Sequence, residues 1–278
     1  MKFQRIYIEI TNVCNLTCSY CLSHTRDALF MSPKQFEQIL TQIKSYTDHI
    51  YLHIKGEPLI HPDFIEFLNL ADQYHLKVHL VSNGTLLDKL NQTLINHPAL
   101  VQCTISLHNY DVLSNEDRTI YENKLDELFE LVNTSHISLF LRIWDFKSKQ
   151  TQTYIKQRFS LDIALIEERK RLKLTHNISL DLDHQFIWPD IKDPYNSNIG
   201  TCLAGTKMMV IYVNGDVGPC CLDTDTSIKL GNINIESLDE ILRSPRYLTF
   251  IKGLRESKLT ETLCQRCTYH NRFKRLDG

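Results

Sequence analysis

The feature that constrains this chain most is a group of three closely spaced cysteines near its N-terminus. They occur in the run Cys14-Asn-Leu-Thr-Cys18-Ser-Tyr-Cys21, directly after residues 6–11, whose alternating apolar pattern predicts a buried strand. Three thiolates on one loop can bind a single metal centre, but they cannot complete the tetrahedral shell of a structural zinc site. They suit a [4Fe-4S] cluster in which the protein holds three irons and leaves the fourth open. A zinc loop with a distant fourth ligand is the alternative.

The cysteine run resembles the cluster loop of radical S-adenosylmethionine (radical SAM) enzymes, including an aromatic residue, Tyr20, before the third cysteine. In that family SAM chelates the open iron, and an electron from the cluster cleaves SAM to a 5′-deoxyadenosyl radical that removes a hydrogen atom from the substrate. The resemblance implies that Cys14, Cys18 and Cys21 bind a [4Fe-4S] cluster and that Tyr20 belongs to the SAM site. It also implies an external one-electron reductant of the flavodoxin or ferredoxin type.

Composition and charge place the chain among ordinary globular proteins. Its 278 residues are 42% hydrophobic and carry a formal net charge of −2, which gives no sign of a nucleic-acid or anionic-membrane partner. No apolar run approaches the roughly 20 residues that cross a bilayer, and the N-terminus lacks a signal pattern. We therefore predict a cytoplasmic protein with no membrane partner, in which clustered cysteines are metal ligands rather than disulfides.

Up to about residue 183 the chain alternates short apolar strands with amphipathic helical segments, which predicts a parallel sheet with right-handed crossovers. The predicted strands are Ile6–Thr11, Ile50–Ile54, Val78–Val81, Val101–Leu107, Ile137–Ile143 and Ile178–Leu182. The predicted helical segments are 32–45, 62–74, 86–96, 117–133 and 149–172. The first is predicted to have Ser32 as its N-cap and Pro33 at its first helical position. Six strands are too few for a closed eight-stranded barrel. The resemblance implies instead a six-unit (β/α) partial TIM barrel over residues 1–183, with its active site at the C-terminal ends of the strands.

The end of the second predicted strand resembles the GGEP motif of the family. The motif reads Lys55-Gly56-Glu57-Pro58 here, and the resemblance implies that its backbone carbonyls bind the SAM ammonium group. A glycine at position 56 allows the backbone to approach a ligand closely. Lys55 replaces the usual first glycine, so the sequence departs from the motif at that position.

Polar residues at later strand ends match further SAM-binding positions of the family. Ser82-Asn83-Gly84 resembles the family's TNG turn, Ser106 stands where a hydroxyl contacts the ribose, and Arg142 is placed to bind the SAM carboxylate through its planar fork. Each residue also has a structural interpretation. Asn-Gly is a common turn, Ser106 can bond to backbone, and Arg142 can form a surface salt bridge. Their order behind the cysteine loop favours the SAM-binding interpretation.

Residues 184–200 interrupt the β/α alternation and are predicted to be a linker that passes over the mouth of the barrel. Asp183 and His184 end the sixth predicted strand, where they would face a substrate. They are the candidate catalytic residues, although a lone histidine at such a position is more often not catalytic.

A second cysteine set follows the linker, in residues 201–278. Its hairpin signal is Asn214-Gly215, and its helix is predicted over 237–256, with Ser237 as its cap and Leu248 on its apolar face. The pattern resembles the twitch domain, the short single-cluster form of the SPASM domain. The resemblance implies one auxiliary [4Fe-4S] cluster, whose ligands would be Cys202, Cys220, Cys264 and Cys267. A zinc knuckle is the alternative, Cys221 can replace Cys220 as a ligand, and Cys103 is predicted to be a buried core residue.

A cluster with four cysteine ligands has no open iron, so its useful property is to take or pass one electron. Losing one more electron turns a substrate radical into an oxidised product. We therefore predict a radical SAM oxidoreductase, acting on a small molecule or on a peptide. Because the first predicted strand starts near residue 4, we expect no N-terminal leader-binding module, which favours a small molecule. A non-catalytic, zinc-stabilised binding protein is the alternative from another class.

Overall fold

The structure is a computed structural model that describes residues 2–18, 20–22, 24–144, 149–165 and 170–273. The chain divides into two compact units. The first unit comprises residues 1–56, 74–76 and 186–278, and the second comprises residues 57–73 and 77–185. The first unit therefore contains both cysteine sets, and the boundaries at 183 and 200 stay a prediction.

Within the described ranges the chain forms ten strands and eight α-helices. The strands are β1 (Arg5–Ile8), β2 (His49–Tyr51), β3 (Lys77–Ser82), β4 (Leu100–Ser106), β5 (Ser138–Ile143), β6 (Lys170–Lys173), β7 (Ile178–Leu182), β8 (Met208–Ile211), β9 (Asp216–Gly218) and β10 (Gly231–Asn232). The helices are α1 (Pro33–Ile43), α2 (Phe64–Gln73), α3 (Gln92–Ile95), α4 (Asn115–Asn133), α5 (Lys149–Phe159), α6 (Leu238–Arg243), α7 (Pro245–Arg255) and α8 (Thr262–Arg266). None of these helices is long and apolar enough to span a membrane.

The first unit is built on a sheet in the order β10-β9-β8-β1-β2. Strand β1 is parallel to both of its neighbours, with Ile6 opposite Ile50 of β2 and Met209 of β8. Strands β8, β9 and β10 are antiparallel, and the turn between β8 and β9 contains Gly215 at a φ of 86°. A left-handed glycine after Asn214 is what the hairpin signal requires, so the predicted hairpin is confirmed.

Helix α1 shows how local sequence sets an element of this unit. The hydroxyl of Ser32 accepts a hydrogen bond from the N–H of Gln35, and Pro33 occupies the first helical position, as predicted. Its buried residues are Phe36, Ile39, Leu40 and Ile43. The spacing of these side chains places them on one face, which packs into the core.

The second unit is built on a sheet in the order β3-β4-β5-β7-β6, in which the first four strands are parallel. The helical segment predicted over 149–172 is wrong in its last part. Helix α5 ends at Phe159, because Ser160 takes a left-handed conformation with a φ of 55°. Residues 170–173 form β6, an antiparallel edge strand whose charged side chains are typical of a sheet edge.

The single helix predicted over 237–256 is also wrong, because the chain forms two helices there. Ser237 caps α6 through a capping box with Glu240, as the sequence suggested. Ser244 then ends α6 and caps α7, since Pro245 has no N–H and holds the preceding residue in an extended conformation. Leu248, expected on the apolar face, is 53% exposed.

Candidate active site

The N-terminal cysteine loop follows β1 in the first unit. Cys14 and Cys21 are exposed, and Cys18 is half-buried. The N–H of Cys21 donates to the carbonyl of Cys18 at 3.1 Å, which makes a tight turn between these two residues. Three thiols on one accessible loop fit a [4Fe-4S] cluster with three protein ligands.

Side chains at the start of this loop close it against its far end. The hydroxyl of Thr11 donates to the carbonyl of Leu29 at 2.8 Å. The amide of Asn12 donates to the carbonyl of Asp27 at 2.7 Å and accepts from the N–H of Leu29 at 2.8 Å. Bonds from both residues therefore fix the positions at which the cysteine segment leaves and rejoins the fold.

A buried ion pair lies beneath the loop. Arg26 binds both carboxylate oxygens of Glu9, at 2.5 and 2.6 Å, and the Glu9 side chain is fully buried. Glu9 also accepts from the backbone N–H groups of Lys55 and Val213, each at 3.3 Å. The Nε of Arg26 donates to the carbonyl of Thr224 at 2.9 Å. The pair therefore links the cysteine loop to Lys55, which follows β2, and to Val213 and Thr224, which lie on either side of β9.

Sequence reasoning missed Glu9 and Arg26. The available signal was a carboxylate inside an otherwise apolar strand, because a buried charge needs a partner of opposite charge. The identity of that partner was not readable, since Arg26 follows the cysteine run as one of several polar residues.

Gly56 lies against the start of the cysteine loop. Its φ is 77°, and a Cβ at this position would lie 2.6 Å from the carbonyl oxygen of Thr11 and 2.7 Å from that of Val13. No residue with a side chain fits there, so the glycine of the GGEP-like motif is required by close backbone contact within the first unit.

In the second unit, Glu57 is 1% exposed and binds backbone groups. Its carboxylate accepts from the N–H of Asn83 at 2.6 Å and from the N–H of Leu59 at 3.1 Å. Burial raises the pKa of this carboxyl group, while the two backbone bonds act in the opposite direction. Pro58 begins a short 3-10 helix and is buried. Glu57 therefore connects the GGEP-like motif to the turn that follows β3.

That turn is held by its own polar side chains. The Ser82 hydroxyl accepts from the N–H of Gly84 at 3.1 Å, and the Asn83 side chain accepts from the N–H of Thr85 at 2.9 Å. A Cβ on Gly84 would lie 2.6 Å from the hydroxyl oxygen of Tyr121, and the φ of Gly84 is 82°. Ser82 and Asn83 therefore stabilise this turn. Their contact with SAM stays a prediction.

Ser106 and Arg142 share a row across the strand ends of the second unit. Ser106 lies opposite Arg142, and Arg142 lies opposite Asp181 of β7. The Nε of Arg142 is 3.7 Å from the carboxylate of Asp181, which also pairs with Arg171 at 3.2 Å. The salt-bridge interpretation of Arg142 therefore has direct support, and its role as a SAM ligand stays a prediction.

Asp183 and His184 directly follow β7. Asp183 is half-buried and donates its N–H to the carbonyl of Ile143 at 2.9 Å, and its carboxylate accepts from the N–H of His184 at 2.8 Å. His184 is exposed. These contacts fix the backbone after the strand, and the catalytic role of both residues stays a prediction.

The second cysteine set comes from three distant parts of the sequence, all in the first unit. Cys202 precedes β8, Cys220 and Cys221 follow β9, Cys264 lies in α8, and Cys267 follows that helix. Burial raises the pKa of the Cys202 and Cys264 thiols, and the neighbouring thiols Cys202 and Cys267 raise that of Cys264 further. A bound metal centre would supply the positive charge that offsets this cost, because a thiol that coordinates a metal is deprotonated.

Cys220 and Cys221 differ in their surroundings. A hydrogen bond from the Cys220 thiol raises its own pKa and lowers the pKa of Cys221. Both Cys220 and Cys221 interact with Cys202, and Cys221 also packs against the buried cluster of Tyr7, Val210 and Tyr212. Cys220 as the ligand, with Cys221 as its alternative, therefore stays a prediction. Cys103 is fully buried in β4, so its prediction as a core residue is confirmed.

The described residues contain no three His, Cys, Asp or Glu side chains already placed to hold a metal ion. The cysteine sets fit iron–sulfur clusters by the chemistry and number of their donors. Cys14, Cys18 and Cys21 offer three thiols on an accessible loop, and the auxiliary set offers four half-buried thiols.

The comparisons with known proteins agree with these observations. Residues 8–139 match the radical SAM superfamily, and residues 202–268 match the SPASM iron–sulfur cluster-binding domain. Over 273 residues, the chain is 20% identical to an S-adenosyl-L-methionine-dependent 2-deoxy-scyllo-inosamine dehydrogenase of Niallia circulans, covering 95% of this chain and 92% of that protein.

Two solved structures share the fold. A crystal structure of BtrN in complex with AdoMet and 2-DOIA aligns with a TM-score of 0.59 at 21% identity, covering 96% of this chain and 94% of that one. Streptococcus suis SuiB bound to the precursor peptide SuiA aligns with a TM-score of 0.62 at 17% identity, covering 99% and 74%. This likeness confirms the predicted α/β fold, with which a six-unit partial barrel is compatible.

The two matched domains and the shared fold define a class: the chain is a radical SAM enzyme of the oxidoreductase type. More particularly, it belongs to the radical SAM proteins that carry a C-terminal SPASM or twitch domain. It therefore has a SAM-binding [4Fe-4S] cluster and an auxiliary iron–sulfur cluster.

Proposed function

We propose that this enzyme oxidises a small molecule by removing a hydrogen atom and then one electron. The observation that carries the proposal is the auxiliary set of four half-buried thiols, which leaves no ligand position for a substrate once a cluster is bound. Such a cluster contributes electron transfer. The likeness to a dehydrogenase over 95% of this chain supports the same reaction class.

The residues of the first unit have separate proposed tasks. Cys14, Cys18 and Cys21 would hold the first cluster, which with SAM supplies hydrogen-atom abstraction. The ligands proposed for the auxiliary cluster, which supplies the acceptor for the second electron, are Cys202, Cys220, Cys264 and Cys267. Tyr20 and the backbone of Gly56 are proposed SAM contacts, because they adjoin the cysteine loop.

The residues of the second unit would bind and position SAM from the strand ends. Glu57 fixes the turn that carries Ser82 and Asn83, so we assign it a positioning role. Ser106 would contact the ribose of SAM, and Arg142 would contact its carboxylate. The two residues lie opposite each other on the neighbouring strands β4 and β5. Oxidation of an alcohol also releases a proton, and Asp183 and His184 are the residues proposed to receive it.

The reaction requires an electron for the first cluster. We propose that a flavodoxin-type or ferredoxin-type donor supplies it, as one-electron carriers do for this chemistry. The auxiliary cluster would supply the acceptor for the electron of the substrate radical, and a base would take the hydroxyl proton, so that the product would contain a carbonyl group.

Peptide modification is the second candidate. SuiB, whose structure contains a precursor peptide, covers 99% of this chain, so the same fold accommodates a peptide in that protein. The radical chemistry would be unchanged, and only the class of substrate would differ.

A substrate panel under anaerobic conditions tests the proposal. The reconstituted protein, SAM and dithionite would be mixed with aminocyclitols such as 2-deoxy-scyllo-inosamine, or with precursor-type peptides. The proposal predicts that an aminocyclitol or related polyol raises 5′-deoxyadenosine production and loses two hydrogens by mass spectrometry. Turnover of peptides alone would support the second candidate. Protein that carries zinc and no iron or sulfide would contradict both.

A further inference from the structure

Lys55 departs from the GGEP motif, and its side chain is almost completely removed from solvent. The residue is only 6% exposed. Burying an ammonium group is costly unless it gains hydrogen bonds or an opposite charge. The surroundings of its Nζ atom therefore show what this lysine is for.

The Nζ of Lys55 points into the cysteine loop. It donates to the Sγ of Cys21 at 2.8 Å and to the carbonyl of Leu22. Among the described residues, no carboxylate lies within ion-pair distance of this nitrogen. Cys21 is therefore the neighbour that becomes negatively charged when a cluster binds.

Two further contacts hold Lys55 in place. Its Nζ lies 5.2 Å from the ring centroid of Trp188, over the face of the indole, where a cation is attracted to the ring. Trp188 is fixed in turn by its indole N–H, which donates to the carbonyl of Tyr20 at 2.9 Å. At the other end, the backbone N–H of Lys55 donates to the buried carboxylate of Glu9 at 3.3 Å.

We propose that Lys55 raises the reduction potential of the SAM-binding cluster by donating a charged hydrogen bond to the ligand sulfur of Cys21. Reduction adds one electron from the external donor to the cluster, so the reduced state carries more negative charge. A cation and an N–H···S bond stabilise that state preferentially, and the potentials of such clusters depend on these terms and on solvent exposure. Trp188 is the positioning residue, because it holds the ammonium group and shields it from water.

The inference rests on the SAM-binding cluster of the proposed function, and it goes further by assigning a role to the residue that departs from the family motif. The lysine need not touch SAM or substrate for this role. Its effect is expected in a cluster property that can be measured without turnover.

A redox titration followed by electron paramagnetic resonance tests the proposal. The cluster with the open iron is identified by the component of the spectrum that changes when SAM is added. Lys55→Met removes the charge and the donor while keeping most of the apolar stem. We expect the midpoint of the SAM-sensitive component to become more negative, with iron content per chain unchanged. Lys55→Arg keeps the charge, so its midpoint should lie between those of Lys55→Met and the wild type.

Two further variants keep the test decisive. Lys55→Gly restores the glycine of the motif. If Lys55→Met fails to bind its cluster, Lys55→Gly should still bind one, and its midpoint should also be more negative than that of the wild type. Lys156→Met removes one exposed lysine, which pairs with Asp162 at 2.9 Å in the second unit. It should leave the midpoint unchanged, which separates the local bond from net charge.

The possible failures are distinguishable. An unchanged midpoint in Lys55→Met and Lys55→Gly, with the SAM-sensitive signal intact, would overturn the role of Lys55 alone. Unchanged midpoints with weakened SAM binding would also overturn it, since Lys55 would then be a SAM ligand. A wild-type protein without any SAM-sensitive signal would contradict the proposed function itself.

Discussion

The two cysteine sets of the first unit both offer thiols to a metal centre, but they differ in sequence spacing and in exposure. The N-terminal set has three cysteines within eight residues, on a loop where two of the three are exposed. The C-terminal set draws its cysteines from a hairpin, a helix and their flanks, and all of them are half-buried. The first arrangement would leave a cluster open to a ligand. The second would enclose a cluster, for which we propose a role in electron transfer.

The same contrast predicts that the two metal centres contribute differently to the stability of the protein. The N-terminal loop is closed by a few side-chain bonds, so its metal centre should contribute little to the fold. The C-terminal cysteines join separate elements, so their metal centre should contribute much of that region's stability. Substitutions in and around the two sets should differ in effect, from the loss of a cluster to almost no change.

The largest effect is expected when Cys14, Cys18 and Cys21 are all replaced with Ala. Iron should fall from about eight to about four per chain, because one of two [4Fe-4S] clusters is lost. Reductive SAM cleavage should be abolished, while the circular-dichroism melt should change little. Iron and sulfide analysis and 5′-deoxyadenosine detection measure the outcome. A triple variant that keeps all its iron would contradict the assignment of this loop.

Arg26→Met should cause the next largest loss, because it leaves Glu9 charged and buried without its partner. Breaking a buried ion pair costs about 3–5 kcal/mol in unfolding free energy. Arg243→Met is the matched control, since Arg243 pairs with Asp239 at 2.9 Å and its side chain is 78% exposed. Its cost should be about 0–1 kcal/mol. If Arg26→Met and Arg243→Met lost the same unfolding free energy in a denaturant titration, the buried pair of Glu9 and Arg26 would not be holding the cysteine loop to the fold.

Arg142→Lys should weaken SAM binding if the guanidinium clamps the SAM carboxylate, because an ammonium group cannot reproduce a planar fork. The expected loss is about 1–3 kcal/mol, the size of a hydrogen bond to a charged group. Arg171→Lys is the control, since Arg171 shares the Asp181 carboxylate from the edge strand. Unchanged SAM affinity for Arg142→Lys in a titration would leave Arg142 with its salt bridge alone.

The smallest effect is expected for Cys221→Ser, which should keep its full iron content. Both cysteines interact with Cys202, but Cys221 also packs against Tyr7, Val210 and Tyr212, so we predict that it has a packing role and that Cys220 is the ligand. Cys220→Ser should therefore lose auxiliary iron. The reverse pattern in iron analysis would assign the ligand role to Cys221.

Local signals in the sequence predicted much of the fold. Ser32-Pro33, Asn214-Gly215 and Ser237 act within a few residues, and each forms the predicted cap or turn. Strand β6 was missed because a charged edge strand has almost no apolar periodicity. Pro245 is a signal for a helix break, whereas the apolar spacing that continues across it favours a single helix.

The candidate site was predictable to a different extent in its two parts. The cysteine spacing indicated two metal centres, and the resemblance to radical SAM enzymes and to the twitch domain favoured iron–sulfur clusters over zinc at both. The contacts of Lys55 with Cys21 and of Arg26 with Glu9 depend on how distant segments fold together. A departure from a motif and a carboxylate in an apolar strand mark such residues, but the sequence does not name their partners.

The central claim is that the enclosed cluster accepts the second electron, and a Cys264→Ala/Cys267→Ala variant tests it most directly. With dithionite and substrate it should still produce 5′-deoxyadenosine, since the N-terminal cluster is intact. It should fail to release the oxidised product and should form a reduced or quenched species. A circular-dichroism melt of the same sample, with Cys221→Ser as the cluster-retaining control, verifies that it is folded. A normal yield of oxidised product from folded protein lacking the second cluster would contradict the claim.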